Sequence, residues 1–186
     1  MIHIGIDYSM TCPAVCACSP DTTPMFWYAH ERKYQVDLAG VTAIAIPSFN
    51  IDGSACTVVQ RATYLARHCV EWIRRRGVTD VAIEDYAFAA TGRVFHIGEN
   101  TGILKYRLNE FEINVHPVPP TVIKKFATGK GNADKPKMVA AFLSEYPEAR
   151  NWIPVFFPRT KSDQSPAKSP LADLADAYWI AKYASK

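Results

Sequence analysis

Two acidic residues of this chain stand at the ends of apolar runs, where packing gives a carboxylate no reason to be. Asp7 closes Met1-Ile-His-Ile-Gly-Ile-Asp7, and Glu84 closes Val81-Ala-Ile-Glu84. Two more, Asp173 and Asp176, lie three apart in Ser169-Pro-Leu-Ala-Asp173-Leu-Ala-Asp176-Ala-Tyr-Trp. Positions i and i+3 share a helix face, so this pair projects together. If all the acids meet in one cleft they repel strongly, and divalent cations are the usual remedy. Oxygen donors without a histidine or cysteine cluster favour Mg²⁺ or Mn²⁺ over zinc. Two such ions about 3.5–4 Å apart can clamp a phosphodiester, one activating water and one stabilising the leaving oxygen. Taken singly, each acid has a bland reading, as a turn, cap or solvated residue. Their agreement on one point of the topology favours nuclease chemistry.

A basic segment accompanies them. Lys124, Lys125, Lys130, Lys135 and Lys137 are opposed only by Asp134, and Gly129 and Gly131 allow close backbone approach. Glycine-spaced lysines before a helix N-terminus suit phosphates better than a merely solvated face does. Arg74, Arg75 and Arg76 end a helix, where the dipole favours cations anyway. Tyr86 and Phe88 follow Glu84 closely, and with Arg93 are candidates for DNA contact, since an aromatic beside such a site can stack on unpaired bases. Core packing is the competing role for the aromatics, Phe95 included.

The elements that must position these groups follow from periodicity. Ile2, Ile4 and Ile6 alternate with polar or small residues, so the first strand turns Asp7 out at its C-terminal end. Val15–Cys18 and Met25–Ala29 continue it as a meander, with Ser19-Pro-Asp-Thr-Thr-Pro24 as the break. Val41–Ile46 is an open case for a further strand. Val58, Ala62, Leu65, Cys69 and Ile73 define a helix face between about Thr57 and Arg76, stopped by Gly77. Val78–Ile83 is a short buried strand. A strand, a long helix and a second parallel strand imply a right-handed crossover, which makes Asp7 and Glu84 neighbours. A second helix spans Gly92–Asn109 with Phe95, Ile103, Leu104 and Leu108 inward. Another short parallel strand lies at Asn114–Val118. Pro119 and Pro120 open a short helix, and another runs from Asp134 to about Tyr146. Repeated prolines make 147–168 a surface excursion, and Ser169 caps the last helix with Pro170 at its first position.

At 186 residues, 48% hydrophobic and 21% charged, the chain reads as a single globular domain over 1–186. A formal net charge of +3 permits nucleic acid without arguing for it. Five cysteines, an odd number without zinc spacing, read as reduced core residues of a cytoplasmic protein. No apolar run reaches the roughly 18–20 residues of a membrane span, and no signal peptide is expected.

Together these blocks resemble the RuvC-type Holliday junction resolvases of the RNase H-like superfamily, over nearly the whole chain. The resemblance rests on Ile4-Gly-Ile-Asp7-x-Ser9, Ala82-Ile-Glu84, Val122-Ile-Lys124-Lys125 with Gly129-x-Gly131-x-Ala133-Asp134-Lys135, and Asp173-x-Ala-Asp176-Ala. It implies an α/β RNase H-like fold with a mixed five-stranded sheet and helices on both faces. It also implies two Mg²⁺ ions on Asp7, Glu84, Asp173 and Asp176, with Lys124 and Lys135 at the scissile phosphate. The expected protein is a homodimer that nicks two strands of a four-way DNA junction. The sequence names no helicase partner. The Tyr8-Ser-Met-Thr-Cys-Pro continuation and the long 20–55 and 147–168 stretches depart from the family pattern and suggest a divergent, viral branch. Rival readings are a related nuclease acting on RNA hybrids, flaps or forks, a non-catalytic junction-binding module, and an actin-like ATPase. The last lacks a visible second phosphate loop.

Overall fold

The computed structural model describes residues 1–31, 38–50, 52–85, 94–159 and 166–186. The alternating first run forms β1 (His3–Asp7), which pairs antiparallel with β2 (Ala14–Ser19), itself antiparallel to β3 (Thr22–His30). β4 (Val41–Ala45) adds to β3 in parallel, from Phe26 opposite Val41 to His30 opposite Ala45. The meander and the open case at 41–46 are therefore both strands, and among the described residues the sheet has six strands rather than five.

α1 (Val58–Arg74) starts at Thr57, whose side chain accepts from the Gln60 N–H while the Gln60 side chain accepts from the Thr57 N–H. This reciprocal cap fixes the helix start. At the other end Gly77 takes a φ of +63°, a conformation that costs a glycine little. The crossover delivers β5 (Asp80–Glu84) parallel to β1, with Gly5 opposite Ala82 and Ile6 opposite Ile83. α2 (Val94–Asn109) then leads to β6 (Asn114–Val118), parallel to β5. The order across the sheet is β4-β3-β2-β1-β5-β6.

Strand alternation sends apolar side chains to both faces. On one face Ile4, Ile6, Val15 and Trp27 pack with Leu65, Cys69 and Ile73 of α1 and Leu104 and Leu108 of α2. The other face carries α3 (Pro120–Thr128), α4 (Lys135–Glu145) and α6 (Leu171–Ala184). There Cys16, Phe26 and Tyr28 meet Phe142, Leu174 and Tyr178.

Three expectations are corrected. Phe95 is 85% exposed rather than inward. It lies nine residues before the buried Leu104, two and a half helical turns, and so on the opposite side of α2. Residues 147–156 are not a surface excursion. They form a 3₁₀ turn, Pro147–Trp152, and a short helix α5 (Ile153–Phe156), and bury Ala149, Trp152, Ile153 and Phe156. Proline is tolerated in a first helical turn, which is where Pro147 and Pro154 stand. Trp152 meets Phe26 edge to face at 5.0 Å. Finally, Ser169 does not cap α6: Pro170 occupies the N-cap without a side-chain bond, and the Lys168 carbonyl already accepts the Ala172 N–H.

The five cysteines are free thiols, four of them buried. Arg74 and Arg75 pair with Glu71 within α1, which accords with their structural reading. Among the described residues no helix is long and apolar enough to cross a membrane.

Candidate active site

β1 and β5 run parallel, and the step beyond the Ile6–Ile83 pair brings Asp7 beside Glu84 at the C-terminal edge of the sheet. α6 completes the arrangement by lying directly on β1. A Cβ on Gly5 would collide with the Ala177 carbonyl oxygen and the Ala181 backbone nitrogen, and would stand 2.8 Å from the Ala181 Cα. Glycine on the strand, with alanine at 177 and 181 on the helix, permits this seat. It sets Asp173 and Asp176 against the strand ends. α4 is tied to α6 by the Trp179 indole N–H, which donates to the Met138 carbonyl at 3.4 Å, and by Lys182 to Glu145 at 3.2 Å. That linkage brings Lys135, at the start of α4, over the same edge.

The result is a cavity of about 210 Å³ lined by Asp7, Ser9, Glu84, Lys124, Lys135, Met138, Asp173 and Asp176. Sequence reasoning thus assembled the four acids and both lysines. It missed Ser9 and Met138 as lining residues. Ser9 sits two residues beyond Asp7 and was within reach of sequence reasoning; Met138 carries no local signal. Lys125, Lys130 and Lys137 lie exposed outside the cavity. Lys137 bonds Asp134, whose carboxylate accepts the Lys137 N–H at 3.1 Å and caps α4. Tyr86, Phe88 and Arg93 fall outside the described residues.

The electrostatics are those of crowded carboxylates. Burial first, then Asp176, Glu84 and Asp173, raise the Asp7 pKa well above the usual carboxylate range. Burial and then Glu84 raise Asp176 to about 7, with Lys135 opposing. Burial also raises Glu84, against Lys124 and Lys135. At Lys135 burial works to lower the pKa, but Asp173, Asp176, Asp7 and Glu84 together outweigh it and raise it. Its ammonium stands 3.7 Å from Asp173 Oδ1. Asp173 is 4% exposed, and its Oδ2 is fully buried without a hydrogen-bond partner.

Among the described residues no group of three or more His, Cys, Asp or Glu side chains is preformed as a metal cage. The donor set nevertheless fits a hard divalent cation: every ligating atom is a carboxylate oxygen, one is orphaned, and their mutual repulsion is what a cation relieves. The arrangement can therefore hold cations beside a bound phosphate that Lys124 and Lys135 would face.

Comparison with known proteins bears on the fold and the family. No curated protein matches the sequence. Among solved structures, the Thermus thermophilus RuvC structure superposes with a TM-score of 0.59 at 17% identity, covering 97% of this chain and 91% of that one. The T. thermophilus RuvC in complex with a Holliday junction substrate superposes with a TM-score of 0.62 at 17% identity, covering 97% and 90%. At that identity the likeness establishes the RNase H-like fold. Residues 35–146, a span that includes Glu84, Lys124 and Lys135, match the family model of the crossover junction endodeoxyribonuclease RuvC, and the chain belongs to that family.

Proposed function

We propose that this chain is a divalent-metal-dependent, structure-selective endodeoxyribonuclease, a single domain over 1–186. Working as a homodimer, it resolves four-way and other branched DNA junctions by paired nicking. The observation that carries the reading is the convergence of Asp7, Glu84, Asp173 and Asp176, from three separate elements, on one cavity that Lys124 and Lys135 also line.

Asp7, Glu84, Asp173 and Asp176 would hold two Mg²⁺ ions, with Mn²⁺ able to substitute. Bound there, the ions would supply Lewis-acid activation of water and neutralise charge on the leaving oxygen. The chain's own residues do the rest. Burial and mutual repulsion favour the protonated forms of Asp7 and Asp176, so cation binding is coupled to their deprotonation. Lys135, paired loosely with Asp173 at 3.7 Å and 60% exposed at its side chain, can turn to a phosphate oxygen. Lys124 faces the same cavity. The exposed Lys125, Lys130 and Lys137 would track the DNA backbone, a contribution that salt weakens. Paired nicking follows from the dimer, since two symmetric sites address two strands of a symmetric junction.

Cleavage of a synthetic four-way junction with Mg²⁺ tests the reading, run beside a fork, a flap and an RNA–DNA hybrid. The wild type should cut the four-way junction best, and Asp7→Asn should lose about 100-fold or more in rate, as loss of a principal electrostatic group does. Equal activity in both proteins refutes the assigned chemistry. Preference for the hybrid or the flap refutes the substrate.

A further inference from the structure

β1 ends at Asp7, but the alternation of its side chains runs on. Tyr8 is 7% exposed and belongs to the cluster of Ile4, Ile6 and Leu65, so Ser9 returns to the side of the sheet that Asp7 faces. There it lines the cavity with the four acids, Lys124, Lys135 and Met138. Its Oγ accepts the Cys12 N–H at 2.9 Å, and among the described residues no group accepts the proton of the hydroxyl itself. A hydroxyl carries one proton to donate besides the lone pairs it offers. This one is anchored as an acceptor and still open as a donor.

The other polar groups of the cavity divide by charge. Ionised carboxylates can only accept, and they repel a phosphate, whereas the two ammonium groups attract one. Both lysines carry that charge on long flexible stems, and the Lys135 side chain is 60% exposed and stands 3.7 Å from Asp173. They draw a phosphate in without fixing its angle. Ser9 differs in having a single side-chain torsion, an oxygen held by the Cys12 N–H, and no charge with which to compete with a cation for the carboxylates. Such a donor suits one oxygen of a bound phosphate in one orientation, through an O–H···O⁻ bond.

We propose that the Ser9 hydroxyl donates to one nonbridging oxygen of the scissile phosphate and orients it over Asp7, Glu84, Asp173 and Asp176. The proposal rests on the junction-nuclease reading of that cavity.

A methylphosphonate at the phosphate that the wild type cuts replaces one nonbridging oxygen by a methyl group, and its two diastereomers remove one oxygen each. Fluorescence anisotropy of four-way junctions carrying either diastereomer, bound to the full chain in EDTA, reads the contact without cleavage or metal. The wild type should bind the two with affinities about five-fold apart, as expected for one hydrogen bond. Ser9→Ala should bind both alike, and Ser9→Thr, which keeps the hydroxyl, should restore the difference. Should Ser9→Ala fail to fold, Ser9→Cys, similar in size and a weaker donor, takes its place and should narrow the difference. Equal affinities in the wild type overturn the proposal. So does a difference that persists in Ser9→Ala or Ser9→Cys, which would assign it to the lysines and leave Ser9 the structural role of holding the Cys12 N–H. If the wild type cuts no unmodified four-way junction with Mn²⁺, the nuclease reading fails first and takes this proposal with it, an outcome visible before any variant is made.

Discussion

Replacing Gly5 with alanine adds one methyl group where the helix that carries half of the site touches the strand that carries another part. The atoms a Cβ would meet are backbone: the Ala177 carbonyl oxygen, and the Ala181 nitrogen and Cα, the last at 2.8 Å. Ordinary carbon contacts lie at about 3.5–4.0 Å, so α6 must retreat from β1 by roughly 1 Å. No trimming of a side chain on α6 relieves a clash with its backbone, so Gly5→Ala combined with Ala181→Gly should remain impaired. Overpacking of this kind costs about 1–3 kcal/mol in stability. The cost in activity should be larger than that implies, because the retreat carries Asp173 and Asp176 away from Asp7, and a misplacement of about 1 Å can cost on the order of 100-fold in rate. Urea unfolding gives the first quantity and single-turnover junction cleavage by the folded variant at saturating Mn²⁺ gives the second. A variant within about 0.5 kcal/mol and two-fold of wild type would refute the claim that α6 sits directly on β1 and sets the site's geometry.

The crowding of carboxylates makes further predictions. In chelator-treated protein, Asp176→Asn should raise stability on the order of 2 kcal/mol at pH 8, because it removes a charge whose pKa is raised to about 7. The sign follows from proton uptake: a carboxyl whose pKa is higher folded than unfolded favours the native state at acidic pH and loses that contribution as pH rises through about 7. The stability gap between wild type and Asp176→Asn should therefore widen from pH 5 to pH 8, and a constant gap in thermal unfolding would contradict the assignment. Mn²⁺ affinity should rise over the same interval, since the ion must displace protons; calorimetry at the two pH values checks this. Trp152→Ala should cost about 3–5 kcal/mol in urea unfolding, as expected for a buried indole packed on Phe26 and Phe156, whereas a residue on a surface excursion would cost little.

What the sequence made legible is what short-range physics controls. The alternation before Asp7, the β-branched run before Glu84 and the three- and four-residue steps of α1 each carry their own period, and handedness alone then makes Asp7 and Glu84 neighbours. Asp173 and Asp176 are legible as a pair for the same reason. The features that escaped are set by partners distant in sequence. β4 is a strand because β3 offers an edge to pair with, and nothing within Val41–Ala45 separates that outcome from a loop. Phe95 faces solvent because α2 is oriented by Thr101, Leu104 and Leu108, which outvote one aromatic in the first turn. Pro147 and Pro154 read as breakers, yet each begins a turn rather than interrupting one. The role of Gly5 is visible only once α6 lies across it. Tyr86, Phe88 and Arg93, read as DNA contacts, lie outside the described residues.

Asp7, Glu84, Asp173 and Asp176 form one catalytic centre only if they share cations. Anomalous diffraction from a crystal soaked in Mn²⁺ reads this directly, since the ion's position is seen without assuming any activity. Peaks bounded by carboxylate oxygens of all four residues are the predicted result. Mn²⁺ bound elsewhere on the chain, with this cavity unoccupied at saturating concentration, would contradict it.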